Sequence, residues 1–188
     1  MINVLNREII INRTACRFLG VFIFVILTTL GAFVRIPLGF TPVPLTLQTF
    51  FVLLSGALLG RRLGIISQVS YLFLGYIGFS IFAETGSGSF YLMGSTGGYL
   101  FGFAVAAFFI GSFINKVSGK LFSVFSLLCL GDFLVLLCGS LWLKVIFGLT
   151  LNQALTLGFV PFVPGDIIKA YLAAVIFLRL NSRVRQIL

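Results

Sequence analysis

The sequence predicts an all-α integral membrane protein: one domain over residues 1–188, a bundle of six transmembrane helices closed on the outside by irregular, apolar loops that form a lid. Three observations carry this. Six apolar stretches each come near the ~20 residues that a helix needs to cross a ~30 Å hydrocarbon core. Most of the 13 Lys and Arg fall in every second connection between them. The runs are continuous rather than alternating, which excludes a barrel and leaves the helix to satisfy the backbone in lipid. With 60% hydrophobic and 9% charged residues and a mean hydropathy of +1.19, there is too little polar surface to coat a soluble globule.

The first helix is expected over 17–34. The charges before it, Arg7, Glu8, Arg13 and Arg17, look a little like a signal peptide, but no small-residue cleavage site follows and the run is long enough to span. It is read as a retained helix. The second helix, 46–60, is short for a full crossing at ~1.5 Å per residue. Its deficit points to non-helical backbone at membrane depth in 35–45 (RIPLGFTPVPL), where Pro37, Pro42 and Pro44 forbid a regular helix. Such backbone is tolerated only where protein buries it or it lines a cavity. The remaining helices are expected over 63–78, 96–115, 120–142 and 165–180.

Arg7, Arg13, Arg17, Arg61, Arg62, Lys116, Lys120, Arg179, Arg183 and Arg185 fall on one side of these spans, and Arg35 and Lys144 on the other. The positive-inside rule therefore predicts that both termini are cytoplasmic. The three outer connections, 35–45, 79–95 and 143–163, are long and apolar and are expected to fold back over the bundle. Segment 79–95 (FSIFAETGSGSFYLMGS) joins aromatic anchors to a Gly/Ser stretch, as a lid over a small molecule would; the competing reading is a disordered surface loop.

Gly94, Gly98, Gly102 and Ala106 put a stripe of small residues along the fourth helix, which suits close packing of a neighbour, with a ligand-facing role confined to Thr96, Gly97 and Gly98 at its outer end. Cys16 and Gly20 form a similar pair on the first helix, open either to a partner membrane protein or to internal packing.

Ionisable residues at membrane depth are costly and are candidates for function. Asp166 and Lys169 in FVPGDIIKA lie one turn apart at the outer start of the sixth helix. Two readings stand: a carboxylate and an ammonium that address one ligand, or a mutually neutralising i,i+3 pair that caps the helix. Gln48, beside the proline-broken segment, is an amide that must find partners. Asp132 on the fifth helix is either a proton-relay residue or one end of a helix-to-helix hydrogen bond. Arg35 is either an interfacial anchor or a counter-ion for an anionic ligand, and Glu84 and Tyr91 are further candidates in the lid.

Other chemistries lack their parts. There is no His, and the four acids are dispersed, which leaves neither a zinc site nor a catalytic triad. Cys16, Cys129 and Cys138 lie inside apolar runs as small hydrophobes, with neither disulfide nor metal expected. The basic residues punctuate apolar segments rather than forming a solvated patch, which excludes nucleic acid as a partner. Without a phosphate loop, the chain cannot itself couple ATP hydrolysis.

Three blocks, VRIPLGFTPVPLTLQTFFVLLSGALLG, GSTGGYLFGF and FVPGDIIKA, resemble the signatures of the BioY family, the biotin-binding S components of energy-coupling factor (ECF) transporters. The resemblance runs over 34–174 and is weaker around the fifth helix. It implies a multi-pass protein of the bacterial cytoplasmic membrane that captures biotin from outside, pairs with a transmembrane coupling protein and two ATPase subunits, and needs no cofactor.

In that family pattern Asp166 and Lys169 match PGDxxK, Gln48 the TLQ glutamine, and Thr96, Gly97, Gly98 and Tyr99 the TGGY block. Beyond those matched positions, Phe40, Arg35, Glu84 and Tyr91 complete the expected ligand-binding set. The first helix departs from the alanine-xxx-alanine docking motif of many S components: only Cys16-xxx-Gly20 or Ala15-xxx-Leu19 stands there. Biotin suits the polar residues, since its ureido ring offers two N–H donors and one strong acceptor, and its thiophane ring and valeryl chain suit apolar loops. The alternative classes are a stand-alone ion-coupled secondary transporter and a membrane enzyme, the latter short of any reactive group poised with a base.

Overall fold

The computed structural model describes residues 13–187. Arg7 and Glu8 lie outside the described residues, as do the side chains of Arg183 and Arg185. The chain is mostly helical. Helix α1 (Arg13–Phe33) turns Phe24, Val25, Thr28, Gly31 and Ala32 inward at spacings of three and four, the apolar stripe of a helix packed on one face. Thr28 and Thr29 hide their hydroxyls by donating to the carbonyls of Phe24 and Val25, at 2.8 and 2.9 Å.

The proline-rich segment that follows is pinned at both ends. Strands β1 (Arg35–Ile36) and β2 (Leu45–Thr46) pair antiparallel, Arg35 opposite Thr46 and Ile36 opposite Leu45. Pro37, Pro42 and Pro44, which have no N–H to give a ladder, fall in the loop between the strands. The irregular backbone expected over 35–45 thus carries a short ladder at its ends.

Helix α2 (Gln48–Tyr76) is continuous by hydrogen bonding but reverses at Gly60, whose φ of 74° and ψ of −174° are non-helical. Gln68 Nε2 donates to Ser55 Oγ at 3.0 Å, and Gln48 Nε2 to the Tyr71 hydroxyl at 2.7 Å. In a straight helix those pairs would stand about 20 and 35 Å apart. The limbs 48–59 and 61–76 therefore run antiparallel, so close that a Cβ on Gly64 would lie 3.1 Å from Gly56 Cα.

The lid segment is ordered, with a 3-10 turn (Ala83–Thr85) and helix α3 (Gly88–Leu92) leading into α4 (Gly97–Phe113). Helix α4 is clasped between α2 and α5 (Leu121–Phe147). Its small-residue stripe serves that packing: a Cβ on Gly98 would overlap Trp142 and the Cys138 carbonyl, and one on Gly102 would lie 2.9 Å from Val135 Cα.

The expected outer loop 143–163 is corrected by the structure, which is helical over most of it. Helix α5 runs on through apolar Val145–Phe147 until Gly148, at φ 64°, ends it. Thr150 then starts α6 (Leu151–Gly158) with a capping box: Gln153 N donates to the Thr150 hydroxyl at 3.3 Å and the Thr150 N–H to Gln153 Oε1 at 3.0 Å. Helix α7 (Val163–Ile187) follows at a 53° bend from α6.

By length and apolarity, α1 and α5 are candidate membrane spans, the bent pair α6–α7 is another, and α2 meets the same test only over its two antiparallel limbs together. The protein is a multi-pass membrane protein. Arg17 and Arg62 line one groove together with Gly60 and Asn115, while Arg35 lies at the other end of α1.

Candidate functional site

The first turn of α7 sets the centre of the site. Pro164 presets the backbone of a helix start, and Asp166 follows in the first turn, where the positive end of the helix favours a carboxylate. Lys169, one turn on, forms an ion pair with Asp166; they are 7% and 3% exposed. The pair does not stand alone. Lys169 Nζ donates to Thr49 Oγ1 at 2.6 Å and to the Thr46 carbonyl at 2.9 Å, and Thr49 Oγ1 donates to Asp166 Oδ1 at 3.2 Å. All three ammonium donors are used, which is what makes such a buried pair tolerable.

The pair lines a cavity of about 40 Å³ together with Gln48, Thr49, Tyr91, Thr96 and Tyr99 and an apolar wall that includes Phe103 and Phe162. That is room for only a few water molecules, against about 300–1,000 Å³ for a typical small-molecule pocket. The Tyr99 hydroxyl is turned away from the cavity's polar end and donates to the Gly158 carbonyl at 2.6 Å.

Segment 79–95 forms the ceiling of this cavity through Ala83 and Tyr91. Phe82 of that segment is fully buried, its ring filling the space beside Gly75 that any Cβ there would occupy. The ring stacks on Tyr91 with centroids 5.0 Å apart and meets Tyr71 edge-on at 5.4 Å. Gln48 donates to Tyr71, and the Tyr71 hydroxyl donates to the Ile81 carbonyl at 3.0 Å, so hydrogen bonds run from the cavity to the lid backbone. At the base of the lid, Trp142 Nε1 donates to the Gly94 carbonyl at 2.9 Å.

Outside the cavity lies a vestibule of about 220 Å³, lined by Pro42, Glu84, Phe90 and Ser95 and sharing Pro44, Tyr91 and Thr96 with it. Arg35 and Glu84 form an ion pair of 2.5 Å at this mouth. Burial pushes the Tyr91 hydroxyl above its ordinary pKa.

Of the residues singled out from sequence, Asp166, Lys169, Gln48, Thr96, Tyr99 and Tyr91 meet at the cavity, and Glu84 and Arg35 at its mouth. Gly97 and Gly98 face Leu92 and Trp142 instead, and Phe40 is largely exposed on the proline-rich loop. On α1, Cys16 and Gly20 are half-buried while Ala15 and Leu19 are exposed, so the two docking pairs lie on different faces. Asp132 is buried on α5, its Oδ1 without a partner among the described residues, in a groove it shares with Asp166. Sequence reasoning missed Thr49, Thr46, Tyr71 and Phe82. Thr49 had one signal, its place beside Gln48 on the same helical turn.

The BioY family's sequence profile matches residues 8–186. The chain belongs to the BioY family. Among its BioY relatives, the probable biotin transporter BioY of Pyrococcus horikoshii is 41% identical over 160 residues, 85% of this chain and 93% of that one. The biotin transporter BioY of Thermotoga maritima is 39% identical over 170 residues, covering 85% and 92%. A crystal structure of the S component for biotin from an ECF-type ABC transporter superposes with a TM-score of 0.86 at 31% identity, over 91% of this chain and 93% of that one. The BioY family and these relatives are transporters, not enzymes.

Proposed function

We propose that this chain captures biotin as the S component of an ECF-type ABC transporter. Six segments cross the bacterial cytoplasmic membrane, the limbs 48–59 and 61–76 counting separately, with both termini on the cytoplasmic side. Biotin enters from outside beneath the lid. The energy comes from a transmembrane coupling protein and two ATPase subunits, docked along α1 at Cys16 and Gly20 or at Ala15 and Leu19.

The observation that carries this reading is the buried Asp166–Lys169 pair in the cavity wall. The ureido N–H groups of biotin donate to Asp166 while Lys169 donates to the ureido oxygen, each side replacing contacts it now makes to Thr49, Thr46 or its neighbour. Gln48, held by Tyr71, offers a further polar contact. Val43, Leu100, Phe103, Leu136 and Phe162 receive the thiophane ring and the start of the valeryl chain, and the carboxylate lies towards Arg35 at the mouth.

Titrating biotin into purified Asp166→Asn and Lys169→Ala tests the site. Removing one partner of a buried charge pair costs about 2–5 kcal/mol of binding, so affinity falls by a factor of ~30 or more. An Asp166→Asn/Lys169→Met double variant, which buries no lone charge, separates lost binding from lost folding. Wild-type affinity in both single variants rejects the assignment. Uptake into liposomes that requires the ATPase module, and is lacking with this chain alone, separates the S component from a secondary transporter.

A further inference from the structure

The charges that line the cavity and its mouth cancel in pairs, and this decides how an anionic ligand can bind. Lys169 is the cation among the residues that line the cavity, and it is committed to Asp166. The vestibule is lined by one charged residue, Glu84, and that residue is committed to Arg35. Among the described residues that line the mouth, an arriving carboxylate therefore meets no uncommitted cation. It must take one from a resident partner.

The two members of the outer pair are not equally held. The Arg35 side chain is 38% exposed, and its backbone is fixed in the β1–β2 ladder opposite Thr46, whose carbonyl holds Lys169. The Glu84 side chain is 62% exposed, on a 3-10 turn where Glu84 and Thr85 both hold positive φ, 61° and 57°. Non-glycine residues adopt that conformation at a cost, and only where surrounding contacts hold them. Glu84, the more exposed of the two, can swing into solvent and be hydrated, while the ladder keeps the root of the Arg35 side chain at the mouth.

We propose that Glu84 is a built-in surrogate for the ligand's carboxylate: it occupies Arg35 while the site is empty and is displaced when an acid binds. This rests on the biotin reading above and extends it, for it makes Glu84 a competitor rather than a ligand contact. The exchange sets specificity. An acid recovers the Arg35 contact it displaces, whereas a neutral analogue leaves the Arg35–Glu84 pair in place and gains nothing from either residue.

The test compares biotin with its neutral carboxamide on the purified full-length chain by calorimetry, in wild type and in Glu84→Gln, Glu84→Asn and Arg35→Gln. Removing the competitor tightens biotin binding by about two- to fivefold, the worth of an exposed ion pair, and leaves the carboxamide unchanged. Arg35→Gln brings the acid down to the level of the carboxamide. Asparagine at 84 tolerates positive φ and guards against a folding defect of the glutamine variant. An acid-to-amide ratio that is the same in wild type and in both Glu84 variants overturns the proposal, as does equal tightening of acid and amide. Failure of the wild type to bind biotin would instead overturn the proposed function.

Discussion

Replacing Phe82 with alanine is expected to unseat the lid and shorten the time that biotin stays bound. The ring is fully buried, stacked on Tyr91 and edge-on to Tyr71, and it fills the space beside Gly75. Burying a phenylalanine is worth about 1.5–3 kcal/mol. Two aromatic pairs add about 0.5–1.5 kcal/mol each. The sum brackets the ~3–5 kcal/mol measured for Phe→Ala in protein cores. Where opening the proposed lid exposes the ring to water, most of this energy resists opening, and 3 kcal/mol corresponds to dissociation faster by about a hundredfold. Chasing radiolabelled biotin from the purified variant with excess cold ligand measures this directly. Phe82→Leu, which keeps the bulk and loses the ring contacts, should fall between the two. A folded Phe82→Ala protein that releases biotin at the wild-type rate would refute the view that this ring latches the lid.

Two glycines separate strain from space. Gly60→Ala meets no atom within 4 Å, yet the φ of 74° at the hairpin bend should cost about 1–3 kcal/mol, read as a lower unfolding midpoint in detergent. An unchanged midpoint would mean that the bend relaxes freely. Gly98→Ala has ordinary helical backbone but drives its Cβ into Trp142, and should destabilise by about 1–3 kcal/mol where Gly119→Ala, in open space, does nothing.

The parts of the site that could be read from sequence are those whose burial needed a reason. Asp166, Lys169 and Gln48 are costly at membrane depth, and all three line the cavity. What the sequence withheld was the set of partners that makes their burial affordable. The Thr46 carbonyl leaves no trace in a string of side chains, and Thr49 is one threonine among several. Tyr71 and Phe82 come to the site only because α2 doubles back at Gly60, which brings residue 71 level with residue 48. The break between the second and third helices was visible in the Gly60–Arg61–Arg62 stretch; its sharpness was not. The segment 143–163 was misjudged because its apolar residues suit a loop folded over the bundle, while the Thr150-x-x-Gln153 capping signal that begins α6 is only four residues long.

Trp142 is the chain's single tryptophan, and its indole N–H is bonded to the carbonyl of Gly94 where the lid joins α4. The protein therefore carries an intrinsic optical reporter at the hinge of its own cover, with no second indole to blur the signal. Movement of this segment can be timed by emission in unlabelled protein, including protein reconstituted in vesicles.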